Sequence, residues 1–382
     1  MQPELKERIE QSPWLQPEGS RPSINLYIDS FSHCNLRCPS CAVGNIEGNN
    51  TSTKGLLTPE LLATILEKAL AEMKLTSVGL YNWTEPFLNP HLPDLIRVVK
   101  SYDQWCALST NLNVLREPDE LFAAKPDWLR VSVSGFDQDT YVKAHVGGDI
   151  EDVKQNMVLL AESRDRCGAT TDIEVFFHKY VDNQEDEEMM KRFSEILGFR
   201  FVSAWAYMMP VEKVLAYIDP KFTGTTLNDA DLGIFDRLAL ETREAVSVSS
   251  SHNLSSCSLQ DEMMTMDVKG NVMLCCAASG KDSNILCNYL EHSFADIQEM
   301  KHNHDLCGPC LKASLPVLYG HMDPRFEEIG TRVRNAWRSA HNKPILTPDI
   351  PPQPAPALQP ASTVAEPKVS TLRNWVKKLS FR

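Results

Sequence analysis

Two groups of cysteines carry the chemistry that can be read from this chain. The first is the run Cys34-Asn-Leu-Arg-Cys38-Pro-Ser-Cys41, with CxxxCxxC spacing. Three thiolates so close together can hold three irons of a cubane cluster and leave the fourth iron open, whereas a tetrahedral zinc site needs one more local ligand. The second group is dispersed: Cys257, Cys275 and the pair Cys307-Gly-Pro-Cys310. Those four thiolates can close a site with no vacant iron, and a zinc ribbon would satisfy the same spacing. Of the remaining cysteines, Cys287 reads as structural, and Cys106 and Cys167 read as buried small hydrophobes.

Composition agrees with metal binding. Eleven cysteines among 382 residues are poorly explained by disulfides in a reducing compartment. The N-terminal MQPELKERIEQSPW lacks the apolar core of a signal peptide, and no stretch reaches the roughly 18 apolar residues of a membrane span. The expected location is therefore cytoplasmic. A formal net charge of -13 argues against non-specific attraction of the whole body to nucleic acid or anionic lipid.

The elements that must position these thiols follow from periodicity. Residues 1–23 are polar, with partial helix around 3–11, and a first strand over about 24–29 delivers the cysteine loop. Thr58 and Pro59 mark the N-cap and first turn of an amphipathic helix running to about Met73. Strands over about 77–82, 106–110, 129–134, 173–177 and 201–207 alternate with helices over about 93–102, 119–124, 150–164 and 185–197. Such alternation predicts parallel βαβ units, whose ligands sit at the C-terminal strand ends. That rule puts Cys34, Glu85, Asn111, Ser134 and His178 on one rim. Beyond a helix near 230–245, two short strands turn at Lys269-Gly270-Asn271 and carry Cys275 out at the end of a hairpin. The later CxxC supplies its thiolates from one tight turn.

The cysteine loop after strand one, Glu85-Pro86 after strand two and Ser109-Thr110-Asn111 ending strand three resemble the radical S-adenosylmethionine superfamily. Ser132-Val-Ser-Gly135 and Val146-Gly-Gly148 agree with it. The resemblance covers about residues 24–210. It implies an α/β fold, a partial (βα)6 TIM-like barrel, with Cys34, Cys38 and Cys41 ligating a 4Fe-4S cluster. The open iron would take the amino and carboxylate groups of S-adenosyl-L-methionine, and reductive cleavage would give methionine and a deoxyadenosyl radical. Glu85 falls where the family usually shows Gly-Gly-Glu-Pro, here Asn82-Trp83-Thr84-Glu85-Pro86. Ser109, Asn111 and Ser134 are candidate cofactor-binding residues for its ribose or carboxylate.

The Gly270-x4-Cys275 spacing and the terminal CxxC resemble the short twitch form of the SPASM extension, a β-hairpin plus helix. The resemblance implies one auxiliary 4Fe-4S cluster on Cys257, Cys275, Cys307 and Cys310. Cys276 competes with Cys275 for the ligand role, and spacing favours Cys275. The auxiliary cluster would accept the electron left on a substrate radical, as in an oxidoreductase, or serve as conduit or structure. An epimerase would instead need a hydrogen donor, and Cys276 is the catalytic candidate for that role. A flavodoxin- or ferredoxin-type electron donor is implied.

The expected organisation is an N-terminal segment 1–23, the barrel 24–215, a connecting helical segment 216–256 and the twitch-like region 257–320. A C-terminal helix 321–342, a proline-rich linker 343–368 and a basic amphipathic tail 369–382 follow. With only about 23 residues ahead of the first strand, no leader-binding module of a peptide modifier is expected. The outline resembles dehydrogenases and epimerases of sugars and aminocyclitols, with a peptide or protein maturase and a non-catalytic metal scaffold as alternatives. His178, Lys179, Tyr207, Trp205, Trp83 and His145 have the hydrogen-bonding and stacking groups to line a polar cavity. The tail, with Leu372, Trp375, Val376 and Leu379 at helical spacing among basic residues, suits peripheral membrane or protein contact.

Overall fold

The first strand shows how the fold is built. In β1, Ser23–Ile28, the side chains of Ile24, Leu26 and Ile28 are fully buried on one face. Asn25 and Tyr27 alternate onto the other face, where they remain partly accessible. One face thus seals against helices and the other lines an interior. The structure, a computed structural model, describes residues 21–44 and 53–345.

The chain then runs through α1 Pro59–Glu72, β2 Lys74–Gly79, α2 Leu92–Ser101, β3 Cys106–Thr110, α3 Pro118–Ala123 and β4 Trp128–Val133. It continues with α4 Gln138–Tyr141, α5 Ile150–Cys167, β5 Asp172–Lys179, α6 Gln184–Ile196 and β6 Arg200–Trp205. These six strands are parallel and lie in sequence order, β1 beside β2 and so on to β6. This is the α/β, partial-barrel arrangement that the alternation required. Thr58 caps α1 by accepting from the Leu61 amide at 3.3 Å, with Pro59 opening the helix.

After β6 come α7 Val211–Ile218, α8 Asp229–Arg237, α9 Thr242–Ser250, α10 Ser258–Asp261 and β7 Met263–Met266. Then follow β8 Asn271–Met273, β9 Ile285–Asn288, α11 Phe294–His302, α12 Cys307–Lys312, α13 Leu315–Tyr319 and α14 Arg325–Ala340. The hairpin turns at Gly270, whose φ of +77° favours glycine. Its first strand pairs in parallel with β1, so the sheet reads β6-β5-β4-β3-β2-β1-β7-β8-β9. Backbone hydrogen bonding therefore ties the second cysteine group to the strand that delivers the first.

Several expectations are corrected. The helix over 230–245 is two helices. Leu238, Ala239 and Leu240 form a buried link, and α9 starts anew where Glu241 accepts from the Arg243 and Glu244 amides at 3.1 and 2.7 Å. The CxxC begins the helix α12 and is not a tight turn. Cys167 is exposed, because α5 runs on to Gly168 and leaves its last residue facing solvent. Strand β2 stops at Gly79, since the amides beyond it turn towards Asp29. No helix among the described residues is long and apolar enough to cross a membrane. Residues 1–20, most of the linker 343–368 and the tail 369–382 lie outside the described residues.

Candidate functional site

At the end of β1 the chain doubles back through the cysteine loop. Gly44 lies against the Cys38 backbone so closely that a Cβ there would meet the Cys38 carbonyl oxygen at 2.2 Å. The Cys41 amide donates to the Cys38 carbonyl at 3.0 Å, and the Arg37 amide donates to Val146 at 2.8 Å. Trp83, Ala42 and Val43 pack around Cys34 and Cys41. Sulfur Sγ of Cys34 accepts from the Leu36 amide at 3.5 Å and from Asn111 Nδ2 at 3.6 Å. Cys38 Sγ lies 3.7 Å from His145 Nδ1.

Among the described residues none of the three cysteines is recorded in a disulfide, and burial pushes each pKa up, that of Cys34 to about 12. Cys34 and Cys41 raise Cys38 further, so the three sulfurs share one electrostatic environment. Among the described residues no three His, Cys, Asp or Glu side chains converge on a single ion. The loop instead offers three thiols with amide donors aimed at them, the donor set of a multi-iron centre with one thiolate per iron. The residues present fit such a group.

Two buried carboxylates organise the ends of the neighbouring strands. Asp29 Oδ1 accepts from the amides of Asn82, Trp83 and Thr84 at 3.0, 2.9 and 3.0 Å and from the Thr84 hydroxyl at 2.8 Å. Glu85 Oε1 accepts from the Thr110 hydroxyl at 2.7 Å and the Phe87 amide at 3.1 Å, while Oε2 accepts from the Asn111 amide at 2.8 Å. Burial holds Asp29 up to about 6 and Glu85 up to about 7 despite these donors. Glu85 is thus an internal latch between β2 and β3, and Asn111 extends from it to Cys34 and to Asn35 at 2.9 Å.

The structure joins Ser134 to the same loop. Its hydroxyl lies 3.0 Å from His145 Nε2 and 3.3 Å from His178 Nδ1. Burial lowers both imidazoles, to about 3 and about 4, so both are neutral near pH 7. Ser109 does not reach this group: its hydroxyl faces Ser132 at 3.4 Å, in register with Arg130. Lys179 and Trp205 are tied to helix α14 through Glu327, at 2.9 and 2.7 Å. Trp83 packs on the cysteine loop.

Below the rim, Arg130 Nε donates to Glu174 at 2.8 Å while its guanidinium lies over Trp128 and Phe176. Its charge acts on Tyr27, Tyr81, His178 and Tyr207, which come from four other strands or strand ends. A polar, aromatic interior therefore lies between the strands.

The second group of thiols also comes together. Cys257, Cys275, Cys307 and Cys310 line one cavity with Leu274, Leu306 and Tyr319. Burial raises all four pKa values, and the neighbouring thiols raise three of them further, Cys275 to about 11, Cys307 to about 12 and Cys310. Cys276 lies beside Cys275 and also acts electrostatically on Tyr27 and Tyr207, on the side of the barrel interior. Buried Lys301 donates to the carbonyls of Gln260 and Met263 at 3.1 and 2.6 Å, and Gln260 Nε2 lies 3.7 Å from Cys307 Sγ.

Asp29, Gly44, Arg130 and Lys301 were not among the residues singled out from sequence. A carboxylate ending an apolar strand just before the cysteines was a usable signal for Asp29. Nothing local distinguished Lys301, whose burial depends on contacts about 40 residues away.

Residues 28–193 match the family model described as the Radical SAM superfamily. No curated protein matches the chain. Among solved structures, Streptococcus suis SuiB bound to precursor peptide SuiA aligns at 14% identity, covering 76% of this chain and 66% of that chain, with a TM-score of 0.51. The chain thus spans slightly less than two thirds of that protein, and the likeness is one of fold. Native anSMEcpe with bound AdoMet aligns at 14% identity over 83% of this chain and 98% of that chain, TM-score 0.49. BtrN in complex with AdoMet and 2-DOIA aligns at 16% identity over 76% of this chain and 87% of that chain, TM-score 0.39.

Proposed function

Because residues 28–193 make this chain a member of the radical S-adenosylmethionine superfamily, an enzyme family that implies a 4Fe-4S cluster and S-adenosyl-L-methionine, we propose that Cys34, Cys38 and Cys41 hold that cluster. When bound, the pair supplies one-electron cleavage of the sulfonium to methionine and a deoxyadenosyl radical that takes hydrogen from substrate. The observation that carries this reading is the loop itself: three electrostatically coupled thiols at the C-terminal strand ends, with hydrogen-bonding partners on the Cys34 and Cys38 sulfurs.

The surrounding residues have separable tasks. Asp29 gathers the amides of 82–84 and Glu85 those of 87 and 111, which fixes the strand ends where the cofactor's methionyl part would rest. Asn111 and Ser134 orient polar groups beside the loop, and Ser109 faces the interior one layer lower. Cys257, Cys275, Cys307 and Cys310 would hold an auxiliary 4Fe-4S cluster, providing an electron acceptor for oxidation. Cys276 would be the thiol that returns a hydrogen in an epimerisation, a reading supported by its electrostatic influence on Tyr27 and Tyr207.

The substrate reading is a small polar molecule of the sugar or cyclitol type, oxidised or epimerised. The phenols of Tyr27, Tyr81 and Tyr207, the His178 imidazole and the Arg130 guanidinium around one interior support it. A peptide substrate is the second reading, favoured by the fold likeness to SuiB, whose structure carries the peptide SuiA.

Anaerobic reconstitution followed by assay of deoxyadenosine release tests the central reading. Release under reducing conditions supports it, and intact cofactor with a full iron complement overturns it. Deuterium incorporated from deuterated water, and lost in Cys276→Ala, identifies epimerisation; product oxidised without deuterium identifies dehydrogenation.

A further inference from the structure

Among the three cysteines of the loop, Cys38 has the imidazole of His145 as a side-chain partner, and the polarity of that contact follows from the carbonyl of Val133. His178 Nδ1 lies 3.4 Å from the carbonyl oxygen of Val133 and 3.3 Å from Ser134 Oγ. A carbonyl only accepts, so Nδ1 of His178 carries the hydrogen and donates to both. Ser134 Oγ, accepting from His178, directs its own hydrogen to His145 Nε2 at 3.0 Å. Nε2 is then an acceptor, which leaves the His145 hydrogen on Nδ1, the atom 3.7 Å from Cys38 Sγ. The ring cannot readily turn away, being buried and stacked on Tyr141 at 4.7 Å with an interplanar angle of 13°.

We propose that His145 is a positioning residue for the cluster held by Cys34, Cys38 and Cys41, donating its Nδ1 hydrogen to the Cys38 sulfur and raising the cluster's reduction potential. Ser134 and His178 fix the tautomer that makes this possible. The inference rests on the reading of the loop as a cluster site. Its physical basis is that one-electron reduction adds negative charge shared with the ligand sulfurs, so a donor stabilises the reduced form more than the oxidised one.

The test uses the full-length protein, reconstituted anaerobically, as wild type and as His145→Phe, His145→Asn and Ser134→Ala. Iron and sulfide content is measured first. The midpoint potential is then followed by EPR on the signal that changes when S-adenosylmethionine is added, which separates this cluster from a second one. His145→Phe, which retains stacking on Tyr141, should keep its iron and sulfide and shift the midpoint to more negative potential. His145→Asn, whose amide nitrogen takes the place of Nδ1, should recover most of the shift, and Ser134→Ala should move it part of the way. A fully loaded His145→Phe protein at the wild-type midpoint overturns the inference while leaving the cluster reading intact. Absence of any cluster from the wild type overturns the cluster reading instead. Should His145→Phe fail to load, an unshifted midpoint in loaded Ser134→Ala overturns the inference.

Discussion

Asp29 and Glu85 show how single buried carboxylates can set the shape of a binding rim. Asp29→Ala leaves three backbone amides without their acceptor in a closed site, while the Thr84 hydroxyl keeps the Phe31 carbonyl at 2.7 Å. Each unsatisfied buried donor costs about 1–3 kcal/mol, part of which rearrangement recovers, so a loss of about 3 kcal/mol is expected. Thermal unfolding of the apoprotein measures it. Both carboxyls sit above their ordinary values, so the folded protein holds these protons more tightly than the unfolded chain does. The resulting stability is complete below about pH 4 and is lost as pH rises through about 6 for Asp29 and about 7 for Glu85. The apoprotein should therefore melt at a lower temperature at about pH 8 than at about pH 5, and Asp29→Asn with Glu85→Gln should flatten that dependence. An equally steep slope in the double variant would place its origin elsewhere.

At the scale of the element, the cysteine loop depends on a close backbone crossing. Gly44→Ala would set a methyl group 2.2 Å from the Cys38 carbonyl oxygen, with only backbone available to give way. The loop must shift, and with it the spacing of its thiols. Iron bound at the first site should fall several-fold while the far-ultraviolet circular dichroism stays that of wild type. Local signals made much of this scale legible in the sequence. Thr58-Pro59 started its helix, and β3 occupied the residues that its apolar run proposed. The split of α8 from α9 was not legible, because an apolar run of three residues reads equally as a helix stripe or as a buried link. Its placement in the core decides which.

For the whole molecule, the informative feature is that β7 adds to β1 in a nine-stranded sheet. One strand ends in the first cysteine loop, and the hairpin hydrogen-bonded to it leads to Cys275. If both groups hold 4Fe-4S clusters, the variant carrying Cys257→Ser, Cys275→Ser, Cys307→Ser and Cys310→Ser should retain about half the iron of wild type and keep the EPR signal that responds to S-adenosylmethionine. Unchanged iron content would show that the second group holds none.

The sequence by itself determined the alternation of strands and helices and the three-thiol loop at a strand end, and it proposed four later cysteines as a second group, because periodicity and ligand spacing are local properties. Only the tertiary structure decided that Glu85 latches two strands, that Asp29 gathers a turn and that His145 meets Cys38. Those contacts join residues between about 25 and more than 100 positions apart. Such pairings are selected by how the barrel closes and which buried polar groups must find partners, and neither is written in any one stretch of chain.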